Sequence, residues 1–193
     1  MNYVAHQVLS FSNENLQIGN LLGEVIKGKD YKIYSKEIQQ GVLLHRFIDS
    51  FTDSHEIVKE CSAIFHETQG KFSPIIIDVI FDYFLIKNWS LYNSVDFLTF
   101  KNDCYTTFRN INITIPEKLQ NILFYLLKYD WFVNYSTLEG IHQTLSNIGK
   151  RTKFDNQLNQ SIDIIKENLP FLEKKFLAFF PELEDNCRQF LFK

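Results

Sequence analysis

The sequence predicts an all-α fold, with residues 1–193 forming a single compact helical domain. Glycine and proline are scarce, at seven and four residues, and no long stretch alternates apolar and polar residues as a strand would. With 45% hydrophobic and 22% charged residues, the composition is that of an ordinary globular domain. A chain of 193 residues buries well over half of its unfolded surface, so it needs neither a metal nor a disulfide to fold.

The predicted elements follow from apolar spacing and from helix-end signals. After a helical or irregular opening to about Val25 and a polar loop to Ser35, we predict helices over 36–68 with a bend near Thr52, from Ser73 to about Asn88, and over 96–109, 116–135, 138–150 and 154–181. Ser73 and Pro74 resemble an N-cap followed by a proline at the first helical position. The last helix should tolerate or bend at Pro170 and be capped by Pro181.

Composition also excludes several classes of function. Cys61, Cys104 and Cys187 are far apart, which favours reduced core thiols in a cytoplasmic protein. The apolar run over 74–86 is too short to span a bilayer and contains two aspartates, so no membrane segment is expected. The net charge of -3 argues against a general nucleic-acid binder.

One segment concentrates polar chemistry inside a helical pattern. His45, Asp49 and Asp53 are spaced at i, i+4 and i+8, so a helix would place all three on one face. Such a face can bind a divalent metal beside a phosphate, or it can pair charges inside a core. Two neighbouring residues, Arg46 and His55, add further charge.

A second segment places Asp78 and Asp82 in a helix that is apolar all round and therefore buried. Buried carboxylates need cations, hydrogen-bond donors, protons or a metal, so an internal ion pair and a helix-cap contact are the alternatives to a metal site. His6 is either a core histidine or a ligand, and Glu24 lies one helical turn after Asn20. Nitrogen and oxygen donors without sulfur suit Mn, Mg or Fe better than structural zinc; here they are His6, Glu24, His45, Asp49, Asp53, Asp78 and Asp82.

The order of these motifs resembles the acyl carrier protein phosphodiesterase family. The resemblance rests on Met1-Asn2-Tyr3-Val4-Ala5-His6, Gly19-Asn20-Leu21-Leu22, Gly41, His45-Arg46-x-Ile48-Asp49-x-x-Thr52-Asp53, and Asp78-x-x-x-Asp82-x-Phe84-Leu85 with Trp89. It implies an all-helical, HD-domain-like protein, a divergent branch of the HD-type metal-dependent phosphohydrolases.

The resemblance also implies an activity, which is hydrolysis of the phosphodiester that joins 4'-phosphopantetheine to a serine of acyl carrier protein. It implies a divalent metal, typically Mn²⁺, with Mg²⁺ or Fe²⁺ as alternatives. The implied metal ligands are His45, Asp49 and Asp82, with His6, Glu24 and Asp78 as further candidates. Arg46 would hold the phosphate, and Asp49 or Asp53 would orient the attacking water. Two positions depart from the family pattern, because Tyr83 replaces a histidine and Glu24 replaces an aspartate.

Lys27, Lys29 and Lys32 lie in one short stretch and are predicted to contact an acidic partner, which the resemblance identifies as acyl carrier protein. A second basic group, at 150–153, is the competing docking site. Two other functions remain open, namely an HD-like phosphohydrolase acting on a different small phosphoester and a catalytically weakened protein that binds the carrier. The sequence does not define the oligomeric state.

Overall fold

A computed structural model describes residues 1–192, and it confirms the all-α prediction because no strand occurs within that range. The α-helices are α1 (Tyr3–Val8), α2 (Glu14–Gly23), α3 (Lys36–Ser54), α4 (Glu56–Ala63), α5 (His66–Gln69), α6 (Ser73–Lys87), α7 (Phe97–Arg109), α8 (Glu117–Lys128), α9 (Trp131–Asn134), α10 (Leu138–Arg151), α11 (Ser161–Glu167) and α12 (Leu169–Leu191). Four short 3₁₀ helices join them, at Asp30–Ile33, Gly70–Phe72, Trp89–Leu91 and Leu158–Gln160.

Helices α2 and α3 form the closest pair in the fold. Two glycines make the approach possible, because a Cβ on Gly19 would lie 2.2 Å from the carbonyl oxygen of Ile38, and one on Gly41 would lie 2.5 Å from that of Leu16. A larger residue at either position would force the helices apart. This close packing places the side chains of α2 directly against those of α3.

Helix α6 runs through the centre of the core, as its apolar sequence predicts. It contacts α1, α4, α10 and α12, and Ile77, Ile80, Phe81 and Phe84 on it are fully buried. Polar groups on this helix therefore lie in a medium of low dielectric, where each needs a partner. The relation to HD-type phosphohydrolases stays a prediction.

The helix predicted over 36–68 is instead three helices, α3, α4 and α5. The first break is at His55, whose backbone is extended (φ -71°, ψ 133°) and whose Nδ1 accepts a hydrogen bond from the amide of Ile57. His55 thus caps α4 and turns the chain. This break lies three residues after the bend predicted near Thr52, whereas the second break, after Ala63, was not predicted.

The predicted proline roles were partly wrong. Ser73 is the first residue of α6 and not its N-cap, and its hydroxyl donates to the carbonyl of Gly70. Pro170 lies in the first turn of α12, whereas Pro181 lies inside that helix and does not end it. Buried Phe180 and Leu183 on either side hold the helix together across the missing hydrogen bond. The segment predicted as one helix over 116–135 is divided at Asp130, which has a left-handed backbone (φ 44°).

The cysteines and the apolar helices bear on two of the predictions made from composition. Cys61, Cys104 and Cys187 are free and buried, as predicted, and burial raises the pKa of each thiol to about 12. Within residues 1–192, no helix combines the length and apolar composition that spanning a membrane requires.

Candidate metal centre

Three of the predicted ligands lie together at the junction of α1, α2 and α3. His6 Nε2 lies 3.1 Å from one carboxylate oxygen of Asp49, and His45 Nε2 lies 3.1 Å from the other. The two imidazole rings stack with centroids 4.3 Å apart. Both histidines are buried, while the Asp49 side chain is 45% exposed, so the group opens towards solvent through Asp49.

Asn20, which was not among the predicted site residues, fixes how the two imidazoles are protonated. Its Nδ2 donates to the carbonyl of His6 and to the hydroxyl of Ser10, so its Oδ1 faces the rings. That oxygen lies 2.8 Å from His6 Nδ1 and 3.2 Å from His45 Nδ1. Because an amide oxygen only accepts hydrogen bonds, each Nδ1 carries a proton and each Nε2 faces Asp49, which is the arrangement in which a neutral imidazole offers Nε2 to a metal.

These contacts bring two imidazole lone pairs and a carboxylate to one point. Three acceptors at this spacing repel one another unless a cation or protons lie between them. Burial and the neighbouring His45 lower the pKa of His6, which disfavours a proton there. Burial raises the pKa of Asp49, but the two histidine contacts outweigh it and hold that pKa below its usual range.

The donor set therefore fits a divalent metal. Adjacent ligand atoms around a cation at about 2.1 Å are about 3 Å apart, close to the two 3.1 Å separations. Among residues 1–192, His6, His45 and Asp49 form the group of metal-ligand type, with donor atoms within 4.8 Å of one another. Two imidazoles and one carboxylate suit Mn or Fe, and no sulfur ligand is close to them.

Gly23 makes room for the His45 ring, because a Cβ at Gly23 would lie 2.4 Å from His45 Cγ. We expect Gly23→Ala to displace that ring and to lower metal affinity about 10- to 100-fold while the helical content is retained. Titration with Mn²⁺ and circular dichroism would measure the two effects. Adding Gly23→Ala to a His45→Ala protein should cause no further loss; an additional loss would show that Gly23 acts independently of the ring.

Asp82, predicted as a metal ligand, lies elsewhere and has another role. Its carboxylate accepts hydrogen bonds from the backbone amides of Asn2, Val4 and Ala5, at 3.3, 2.7 and 3.3 Å. These amides are the free donors at the start of α1. The side chain is fully buried, and burial raises its pKa to about 7 against the effect of the three amides. Asp82 is thus the helix-cap contact that the sequence left as an alternative, and it positions the helix that carries His6.

Asp78 also contacts the start of the chain. Its carboxylate lies 2.6 Å from the amino group of Met1 in a part-buried ion pair. Burial lowers the pKa of that amino group, but the attraction of Asp78 outweighs it and raises the pKa overall. The two aspartates of α6 therefore hold the first turn of α1 from two sides.

A cavity of about 950 Å³ opens from the candidate metal centre. Its acidic lining includes Glu24, Asp49, Asp53 and Asp78. Burial raises the pKa of Glu24, and burial together with the charges of Asp78 and Asp49 raises that of Asp53. Glu24 and Asp53 line the same cavity as His6 and Asp49. They do not belong to the group of converging donor atoms, which consists of the two histidines and Asp49 within residues 1–192.

Arg46, predicted to hold a phosphate, does not line this cavity. Its guanidinium donates to the carbonyls of Gly28 and Ile26, at 2.8 and 3.2 Å, and lies over the ring of Tyr31. It therefore fastens the loop after α2. The arginine in the cavity lining is Arg151, at the end of α10. The sequence indicates it only as part of a basic group, because its nearness to α1 depends on tertiary packing.

The remaining sequence candidates lie outside the centre. Tyr83 is half-buried against the core and does not line the cavity, so its replacement of a family histidine leaves the His6, His45 and Asp49 group intact. His55 caps α4, consistent with its expected absence from the site. Lys27, Lys29 and Lys32 are exposed and do not line the cavity, so their contact with an acidic partner stays a prediction.

The fold and the site define an all-helical protein in which paired histidines meet a carboxylate, and one of the histidines and the carboxylate line a large cavity. Comparison with protein families matches residues 1–183 to the family model described as acyl carrier protein phosphodiesterase. The chain belongs to that family.

Curated relatives extend the similarity to nearly the whole chain. Acyl carrier protein phosphodiesterase of Serratia proteamaculans is 29% identical over 189 residues, which cover 97% of this chain and 98% of the relative. The protein of the same name from Yersinia enterocolitica is 30% identical, covering 95% of each chain. That of Escherichia coli O6:H1 is 29% identical, covering 97% of each. No solved structure shows a significant match.

Proposed function

We propose that this protein is an acyl carrier protein phosphodiesterase. It hydrolyses the phosphodiester between 4'-phosphopantetheine and the carrier-protein serine, and the products are apo carrier protein and phosphopantetheine. Membership of the family over residues 1–183 and the names of the relatives support the reaction. The single observation that carries the chemistry is the meeting of His6, His45 and Asp49 beside a large cavity that His6 and Asp49 line.

The reaction needs positive charge beside the phosphate, and among the side chains that line the cavity the carboxylates outnumber the one arginine, Arg151. Four carboxylates line the cavity, and they repel a phosphodiester unless a cation lies between. We therefore assign to His6, His45 and Asp49 a divalent metal, Mn²⁺ by preference, with Mg²⁺ or Fe²⁺ as alternatives. Such an ion would lower the pKa of a coordinated water and polarise the phosphoryl oxygen.

The protein's own residues then position the reactants. Asn20 accepts hydrogen bonds from both Nδ1 atoms and so directs both Nε2 atoms towards Asp49, whose negative charge favours a cation. Asp53 lies one helical turn after Asp49 on the same face, and its raised pKa suits a group that accepts a proton from the attacking water. Arg151 supplies a cationic group with forked donors in the cavity lining, which suits a phosphate oxygen.

The two arginines should therefore respond differently to replacement. We expect Arg151→Ala to lower kcat/KM about 10- to 100-fold with the stability nearly unchanged, since it removes a charged hydrogen bond to substrate. Arg46→Ala should instead lower the free energy of unfolding by about 1–3 kcal/mol through loss of the contacts to Ile26 and Gly28. Steady-state kinetics and urea unfolding on both variants would test this, and the opposite assignment of effects would contradict it.

The proposed function is tested by the mass of holo carrier protein before and after incubation with this protein and Mn²⁺. We expect the carrier to lose the mass of phosphopantetheine, and excess EDTA should prevent the loss. The matched control is Asp49→Asn, which keeps the size of the side chain and removes its charge.

The other candidate functions give different results in the same assay. A phosphohydrolase for small phosphoesters would cleave bis(p-nitrophenyl) phosphate and leave the carrier mass unchanged. A weakened carrier-binding protein would bind the carrier and cleave neither compound. Either result would contradict the proposed function.

A further inference from the structure

The outer face of α8 exposes aromatic side chains that a single folded chain has no reason to leave in water. Phe124 is 56% exposed, Tyr125 42% and Tyr129 53%. The opposite face of the same helix is fully or almost fully buried through Leu119, Leu123 and Leu126. The helix is therefore anchored in the core on one side and presents aromatic rings on the other. Clustered aromatic residues of this kind are typical of surfaces that bind another protein.

Lysines accompany these rings. Lys128 Nζ lies 5.4 Å from the ring centroid of Phe124 and 5.3 Å from that of Tyr129, and Lys118 lies on the same helix. At the end of α10, Lys150 and Arg151 add two more cations. Helix α8 itself carries Lys118 and Lys128 against one acidic residue, Glu117, whereas the chain as a whole has a net charge of -3.

This surface continues into the mouth of the catalytic cavity. Tyr125 and Tyr129 line that cavity. A second cavity of about 550 Å³ is lined by residues of α8, among them Lys118, and it shares Tyr125, Trp131 and Arg151 with the first. A partner seated on α8 would therefore lie beside the cavity that His6 and Asp49 line.

We infer that the α8 surface, defined by Lys118, Phe124, Tyr125, Lys128, Tyr129 and Lys150, is the docking site for the carrier protein. The inference rests on the proposed function, in which the partner is a strongly acidic protein whose phosphodiester joins one of its serines to the phosphopantetheine arm, so that the carrier itself must come close to the cavity. The lysines complement its charge and steer its approach, and the aromatic rings cover its apolar contacts. The rival surface is the loop with Lys27, Lys29 and Lys32, which does not line either cavity.

The test compares two matched double variants that each reverse one lysine and replace one exposed apolar residue with serine. Lys128→Glu with Phe124→Ser alters the α8 surface and replaces no residue that lines either cavity. Lys32→Glu with Ile33→Ser makes the same kind of change in the rival loop, where Ile33 is 81% exposed. Binding of fluorescently labelled apo carrier protein is measured by anisotropy in about 50 mM salt, where charge effects are strong.

We expect the α8 double variant to raise Kd about tenfold or more and the loop double variant to change it less than about twofold. Both should retain the circular dichroism spectrum and the Mn²⁺ binding of the wild type, which shows that each is folded and has an intact centre. Equal Kd values for wild type and the α8 variant, a larger loss in the loop variant, or no binding by the wild type would overturn the inference. Apo carrier protein lacks the phosphodiester and cannot be turned over, so this assay measures binding alone. If the wild type binds apo carrier protein but does not cleave holo carrier protein, that result contradicts the proposed function and not the docking site.

Discussion

Replacing His45 with alanine is expected to lower release of phosphopantetheine more than about 100-fold. Removing a group that only supports a metal ligand typically lowers metal affinity or activity about 10- to 100-fold. His45 itself supplies one of the three converging donor atoms, so its loss should exceed that range. The measurement is the initial rate of mass loss from holo carrier protein at a Mn²⁺ concentration that just saturates the wild type.

A matched control separates this effect from a general loss of histidine. His66 is exposed and lies outside the cavity lining, so His66→Ala should retain the wild-type rate. Raising the Mn²⁺ concentration should partly restore His45→Ala if the defect is metal affinity. A rate for His45→Ala within about threefold of wild type would contradict the assignment of this residue to the centre.

The second large effect is expected for Asp82→Ala, which should lower the free energy of unfolding by about 3 kcal/mol. Its carboxylate accepts from three buried backbone amides at the start of α1, and an unsatisfied buried donor costs about 1–3 kcal/mol. For a chain of this size the loss corresponds to a fall in Tm of roughly 6–12 °C. Thermal unfolding followed by circular dichroism would measure it.

The measurement is made in EDTA, because a metal ligand and a helix cap then give opposite results. Removing a carboxylate that only binds a metal would relieve repulsion in the metal-free protein and leave Tm unchanged or raised. Removing the cap lowers Tm without metal. Asp82→Asn should fall between wild type and alanine, since it keeps one acceptor oxygen and brings an NH₂ group against a donor. An unchanged Tm for Asp82→Ala would contradict the capping role.

The sequence predicted the parts of the site that depend on local periodicity. His45, Asp49 and Asp53 lie on one face of α3 because helical spacing requires it, and the burial of α6 followed from its apolar composition. His6 needed an additional argument, since a lone histidine in an apolar run is as well explained by the core. Its place in the centre depends on the packing of α1 against α2 and α3.

The roles that the sequence did not predict depend on contacts between distant parts of the chain. Asp82 and the amides it caps are separated by 77 to 80 residues, and no pattern within α6 indicates such a partner. Arg46 turns towards the loop after α2, where its guanidinium donates to the carbonyls of Gly28 and Ile26. The passage of α12 through Pro181 also depends on packing, since burial on the core outweighs local preference there.

The central claim is that His6, His45 and Asp49 bind one divalent metal. The most direct test is titration of the purified, metal-free protein with Mn²⁺, with free Mn²⁺ followed by electron paramagnetic resonance. The proposed centre predicts one tightly bound Mn²⁺ per chain in the wild type and in His66→Ala, and loss of that binding in a His45→Ala, Asp49→Asn double variant. Absence of binding by the wild type, or equal binding by the double variant, would contradict it.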